Sequence, residues 1–216
     1  MGMTWRRSFV FGLLLAASAV IVAEEASNAN GATKRIVILG DSITAGYGLD
    51  PKEAYPSLLQ AKVDAANLPY TVANAGVSGD TTAGGLRRVA WAMGKGGDVL
   101  VVALGGNDGL RGISPEETKK NLLGIAAKAR EKNPDVEVLI AGMQMPDNMG
   151  QDFTARFKEV FPEAAKESKA TLIPFLLEGV GGNEELNQPD GIHPTAEGQE
   201  KVAGNVWKVL EAVISE

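Results

Sequence analysis

The sequence contains no cysteine and a single histidine in 216 residues. Without cysteine there are no disulfides, no thiolate metal centres, no iron–sulfur clusters, no cysteine nucleophile and no lipid attached through a lipoprotein-type cysteine. One imidazole, His193, excludes any site that needs two in one chain, which removes zincin-type zinc hydrolysis. Neither G-x-x-x-x-G-K-[ST] nor G-x-G-x-x-G occurs, so the usual phosphate-cradling glycine loops are missing, and so is the G-x-S-x-G nucleophile elbow. A basic surplus is lacking as well. The net charge of −6 argues against nucleic acid as a partner, because phosphate recognition draws on clustered lysine and arginine.

No apolar run reaches the roughly 20 residues that a membrane span needs. The longest is Phe9–Ala23, which follows Arg6 and Arg7 and precedes Glu24, Glu25 and a small polar stretch. A basic start, an apolar middle and small residues beyond describe a secretory signal over 1–29, cleaved after residue 19, 23 or 29. The expectation is an exported bacterial protein, periplasmic or secreted, with no stable membrane anchor after cleavage and an acidic mature chain. Its oligomeric state is not legible.

From residue 34 onward the chain reads as alternating strands and helices. Arg35–Gly40, Tyr70–Ala75, Asp98–Gly106, Val136–Met145 and Thr171–Leu177 are short apolar or β-branched runs. Between them, helical spacing appears from Tyr55 to Ala66, over Thr82–Met93 despite Gly84 and Gly85, after Ser114-Pro115-Glu116-Glu117, and over Phe153–Ser168 with Pro162 as a kink or break. The Ser114/Glu117 pair reads as a capping box. A last helix, opened by Pro194, turns Val202, Val206, Val209, Leu210 and Val213 inward. This alternation predicts one α/β domain over 34–216, a doubly wound parallel sheet covered by helices on both faces. In such sheets the site lies beyond the carboxyl ends of the strands.

Polar residues gather at those ends. They are Gly40-Asp41-Ser42, Asn74 to Thr81, Gly105-Gly106-Asn107-Asp108 and Asp190-Gly191-Ile192-His193. With cysteine absent, Ser42 at a strand-to-helix turn is the candidate nucleophile; the bland alternative is a helix N-cap. His193 is the candidate base, with Asp190 three positions earlier to hold its tautomer. Candidate oxyanion donors are the N–H groups of Ser42 and Gly79 and the side-chain amide of Asn107; ordinary turn roles explain the last two equally simply. Asp41 and Asp108 read as supporting acceptors, and Asp80 and Thr81 as caps of the next helix. A rival reading places Mg²⁺ phosphotransfer on Asp41, Asp80 and Asp108. Another makes the domain a non-catalytic ligand binder.

Taken together, ILGDSITAGYGL, NAGVSGDTTAGGL, LGGNDGLRG and DGIHP resemble the four sequence blocks of the SGNH (GDSL) hydrolases, over roughly residues 34–214. The resemblance implies a three-layer α/β/α sandwich with a five-stranded parallel, flavodoxin-like sheet, working without metal or cofactor. It implies a serine hydrolase of arylesterase, lysophospholipase or acyl-CoA thioesterase type, forming an acyl-enzyme on small-molecule acyl esters or thioesters. Ser42, His193 and Asp190 would be its triad, with Ser42, Gly79 and Asn107 as the oxyanion hole. It further implies a movable loop over 109–114, placing Leu110 and Ile113 against substrate. Loop 145–150 also falls at a strand end and is a candidate wall of the acyl groove. Carbohydrate acetyl-ester cleavage is the alternative within the family.

Overall fold

The computed structural model describes residues 1–2, 33–94 and 96–215. The chain divides into two units, Met1–Thr33 and Lys34–Glu216. The proposed signal segment lies outside the described residues. In the second unit the elements run β1 (Lys34–Gly40), α1 (Ser42–Ala45), α2 (Tyr55–Ala65), β2 (Tyr70–Gly76), α3 (Thr82–Met93), β3 (Val99–Ala103), α4 (Gly106–Leu110), α5 (Pro115–Lys132), β4 (Glu137–Ala141), α6 (Gln151–Ser168), β5 (Thr171–Ile173) and α7 (Ala196–Ile214), with three short 3₁₀ turns.

The five strands form one parallel sheet in the order β2-β1-β3-β4-β5. Helices α3, α5 and α6 cover one face and α2 and α7 the other. That burial on both faces explains why β1 and β3 read as unbroken apolar runs: Ile36 to Leu39 and Leu100 to Leu104 are fully buried. The chain leaves β1 toward β2 on one side and returns to β3 on the other, so the order reverses beside β1. There the register pairs Gly40 with both Gly76 and Ala103. Three strands therefore end level, and the loops that follow them open side by side at the switch point.

Several expected boundaries move. The third apolar run leaves the sheet after Ala103, and Gly106 already belongs to α4. The fourth ends at Ala141 and the fifth at Ile173. In each case the apolar residues beyond the strand stay wholly or partly buried in loops, which an apolar run alone does not distinguish from a strand. Pro162 sits inside α6 without ending it. Its ring faces solvent, where the carbonyl deprived of a partner is least costly. Pro194 does not open α7: Thr195 is the N-cap, and Pro194 pairs with Asn187 in an isolated bridge. Ser114 does cap α5 by accepting the Glu117 N–H, but Glu117 turns to Lys120 at 3.5 Å instead of completing the box. Gly84 and Gly85 are needed inside α3. A Cβ at Gly84 would strike the Asp80 carboxylate, and one at Gly85 would lie 2.3 Å from Leu104 Cδ1.

The helix seated there carries Arg88. Its guanidinium donates to Asp80 Oδ2 at 2.6 Å, to Ala75 O at 2.7 Å and to Gly40 O at 2.8 Å, tying the ends of β1 and β2 to the loop that follows β2. Both partners of the pair are mostly buried, so removing one leaves an uncompensated charge. Arg88→Met is expected to lower the unfolding free energy in urea by on the order of 3 kcal/mol; a loss below about 1 kcal/mol would mark the pair as a solvated surface contact.

Candidate active site

Local folding at the end of β1 decides what Ser42 is free to do. Asp41, not Ser42, caps α1: its Oδ1 accepts the Ile43 N–H at 3.0 Å. The Ser42 hydroxyl is thereby spared, and lies 2.8 Å from Nε2 of His193, 151 positions away. Nδ1 of the same ring lies 2.7 Å from Asp190 Oδ2. The carboxylate fixes the tautomer, so Nδ1–H donates to Asp190 and the Nε2 lone pair accepts the Ser42 O–H. Asp190 Oδ1 also accepts the backbone N–H groups of Ile192 and His193, each at 2.9 Å. These bonds, the His193 N–H foremost and then its ring, hold the Asp190 carboxyl down at about 2. It stays ionised across the range in which an imidazole works.

The three candidate donors follow the ends of β1, β2 and β3: Ser42 opens α1, Gly79 lies in the loop after β2, and Asn107 lies in α4. Among the described residues, neither the Ser42 nor the Gly79 N–H has an acceptor. Gly79 takes φ +77°, and its carbonyl accepts Arg111 Nη2 at 2.9 Å. Asn107 Nδ2 donates to Asp80 O at 2.9 Å and lies 3.4 Å from Asp41 Oδ2. The firm bond to Asp80 orients the amide, and the long one leaves an N–H available to a better acceptor.

The remaining acids are committed elsewhere. Asp108 is fully buried and accepts both the N–H and the hydroxyl of Thr82; burial raises its pKa against those bonds. Asp80 pairs with Arg88, and Thr81 caps α3 by accepting the Gly84 N–H. Among the described residues no group of three metal-ligating side chains gathers, so the phosphotransfer reading finds no assembled cation site.

Beside the triad runs a cleft of about 380 Å³, lined mainly by apolar side chains such as Ile43, Leu110, Met143, Met145, Phe175 and Ile192. Leu110 thus borders it, as does the start of loop 145–150 through Met145 and Pro146, whereas Ile113 is not among the lining residues. A larger hollow of about 620 Å³ opens at the opposite end of the sheet around Lys34, Asp98 and Glu137, remote from Ser42 and His193. Sequence reasoning missed Tyr47, half exposed, whose ring packs on His193 with centroids 4.5 Å apart. Its place five residues after Ser42 was visible in the sequence, but nothing in its type pointed to the imidazole.

The model of the GDSL-like Lipase/Acylhydrolase family matches residues 38–201. The chain is 41% identical over 184 residues to "Esterase TesA" of Pseudomonas aeruginosa, covering 85% of this chain and 90% of that one. It is 34% identical over 212 residues to "Thioesterase 1/protease 1/lysophospholipase L1" of Escherichia coli (strain K12), covering 98% and 94%. The crystal structure of TesA superposes with a TM-score of 0.79 at 40% identity, covering 83% of this chain and 99% of that one.

Asp41 carries a measurable signature. It is 2% exposed, and burial, only partly opposed by the Ile43 N–H and the nearby His193, pushes its carboxyl up from 3.8 to about 6. The folded state therefore holds this proton more tightly than the unfolded chain. Stability is highest below the unfolded value and falls as pH rises through the interval up to about 6, by on the order of 3 kcal/mol. Relative to Asp41→Asn, which retains a capping oxygen but cannot ionise, the wild type is expected to lose most of that amount, about 2 kcal/mol, between about pH 4 and pH 7. Urea unfolding at both pH values checks it, and an unchanged difference would refute it.

Proposed function

This chain belongs to the GDSL-like lipase/acylhydrolase family, and on that premise we propose that Ser42, His193 and Asp190 form the triad with which it hydrolyses acyl esters and thioesters. The observation that carries this reading is the unbroken relay Asp190–His193–Ser42, with contacts of 2.7 Å and 2.8 Å. Ser42 Oγ adds to the acyl carbonyl carbon while Nε2 of His193 accepts its proton. The carbonyl oxygen becomes an oxyanion that accepts from the N–H groups of Ser42 and Gly79 and from Asn107 Nδ2. A donor placed this way contributes about 2.7–4 kcal/mol to lowering the barrier. Ionised Asp190 offsets the imidazolium charge. The imidazolium then donates its proton to the departing alkoxide or thiolate, leaving Ser42 acylated. A water molecule, deprotonated by the same Nε2, attacks the acyl carbon, releases the carboxylic acid and restores the Ser42 hydroxyl.

Substrate class follows from the cleft. Ile43, Leu110, Met143 and Phe175 offer apolar contact to an acyl chain longer than acetyl, which favours fatty-acyl or aryl esters and thioesters over the acetyl groups of carbohydrates. The ligand-binder reading gives no reason for an imidazole poised on a serine. The N-terminal pattern of Arg6, Arg7 and the apolar run to Ala23 supports export, with 34–216 as the catalytic domain.

A series of p-nitrophenyl esters tests both parts. Each methylene buried in the cleft contributes about 0.8 kcal/mol, roughly four-fold in kcat/KM, so rates are expected to climb beyond acetate until the cleft is filled. Ser42→Ala and His193→Ala are expected to lower kcat by about 10⁴-fold or more, and Ser42→Ala to abolish fluorophosphonate labelling. Wild-type turnover in either variant would remove the triad; an optimum at acetate would remove the acyl-chain reading.

A further inference from the structure

Gln188 lies two residues before Asp190, and its side chain spans a gap that the triad itself must bridge. Its Nε2 donates to Tyr47 O at 2.7 Å and to Pro194 O at 3.1 Å. The first carbonyl belongs to the segment just after the nucleophile helix, 141 positions away; the second follows His193 directly. The backbone of Gln188 closes on the same loop, its N–H donating to His193 O at 2.7 Å. Both amide hydrogens are therefore used, one on each half of the site. The chain makes room for this contact at Gly48, where φ is +78° and a Cβ would fall 2.5 Å from Gln188 Oε1. Tyr47, whose carbonyl receives the bond, is the residue that packs on His193, and its own N–H donates to Ser42 O at 3.0 Å. One side chain thus links the backbone around Ser42 to the backbone around His193.

We propose that Gln188 is a positioning residue for the hydrolytic reaction, its amide bridging Tyr47 O and Pro194 O and so setting the separation between the His193 imidazole and the Ser42 hydroxyl. The inference rests on the triad assigned above. Its side chain lines neither the acyl cleft nor the oxyanion donors, so its main effect is on the geometry of proton transfer. The base loop needs such a tie. Asp190, Gly191 and Ile192 are exposed, and the bonds that Asp190 makes within the loop fix its shape without fixing its distance from β1. A displacement of about 1 Å in a reacting group costs up to about 10²-fold in rate.

The test uses the full-length protein and two variants of similar size. Gln188→Met fills the space without donating. Gln188→Glu turns a carboxylate toward two carbonyl oxygens. In both, kcat for a p-nitrophenyl ester is expected to fall at least ~10-fold with KM within about two-fold, and inactivation by a fluorophosphonate to slow in proportion, at temperatures where circular dichroism remains that of the wild type. Gln188→Glu is expected to be the worse of the two, because it repels where the amide donates. Wild-type kcat in Gln188→Met overturns the proposal. So does a loss explained by fewer titratable active sites in the acylation burst, which would make the residue a staple of the fold. Ser42→Ala measured alongside separates the two readings: if it remains active, the triad fails; if it is dead while Gln188→Met is normal, only the bridge fails.

Discussion

The proposed chemistry depends on one hydrogen bond between groups 151 positions apart, Ser42 Oγ to His193 Nε2. Sequence-local structure cannot make such a bond; the sheet does so by ending β1, β2 and β3 at one level. Each side is then secured by side chains that take no part in chemistry. Arg88 ties the end of β1 to the end of β2, and Asp108 holds the N-terminus of α3 to α4, which carries Asn107, through Thr82. On the opposite face, fully buried Gln199 of α7 donates to Ile43 O at 3.0 Å and accepts the Tyr55 N–H at 2.9 Å. The helix that begins just after His193 is thereby fastened to the helix that bears Ser42.

Two carboxylates near the same imidazole are driven in opposite directions. Asp190, on an exposed loop, accepts two backbone N–H groups and the ring N–H, and its carboxyl drops to about 2. Asp41, buried next to Ser42 with one strong donor, rises to about 6. The first is a dependable negative charge paired with His193. The second is a buried cap whose ionised form the fold tolerates at a cost, offset by what the cap does: it starts α1 without using the Ser42 hydroxyl. A serine serving as its own N-cap would have that oxygen turned toward a backbone N–H instead of toward the imidazole.

Much of the fold was legible because a parallel sheet buried on both faces leaves a plain record. All five strands and the longer helices fall where apolar runs and helical spacing put them. The misplaced ends share a physical cause. Leu104, Met143 and Leu176 continue apolar runs past the point where hydrogen-bonded pairing stops, since they pack as loops in the core or along the cleft. Hydrophobicity reports burial, not pairing. Ser42, Gly79, Asn107, Asp190 and His193 were visible as residue types whose chemistry is specific and whose motifs fall at strand ends. Tyr47, Arg88, Gln188 and Gln199 were not, because their roles lie in carbonyls, rings and carboxylates that only the folded chain brings within reach.

The site is also divided by how its parts are held. The Ser42 N–H and Asn107 follow the ends of the central strands β1 and β3, and the Gly79 N–H follows the neighbouring edge strand β2, tied to β1 by Arg88, so all three are held by the sheet. His193 sits instead on a loop that folds on itself: Gln188 N–H meets His193 O, Asn187 pairs with Pro194, and buried Asn187 Nδ2 donates to Val180 O at 2.6 Å and Asn183 O at 2.7 Å. This division suits the reaction proposed above. The oxyanion develops at a fixed place and gains most from donors that do not move. The base must serve a serine proton, then a leaving group, then a water, three positions that differ slightly. An imidazole steered by its own carboxylate can address all three while the donors stay where the charge appears.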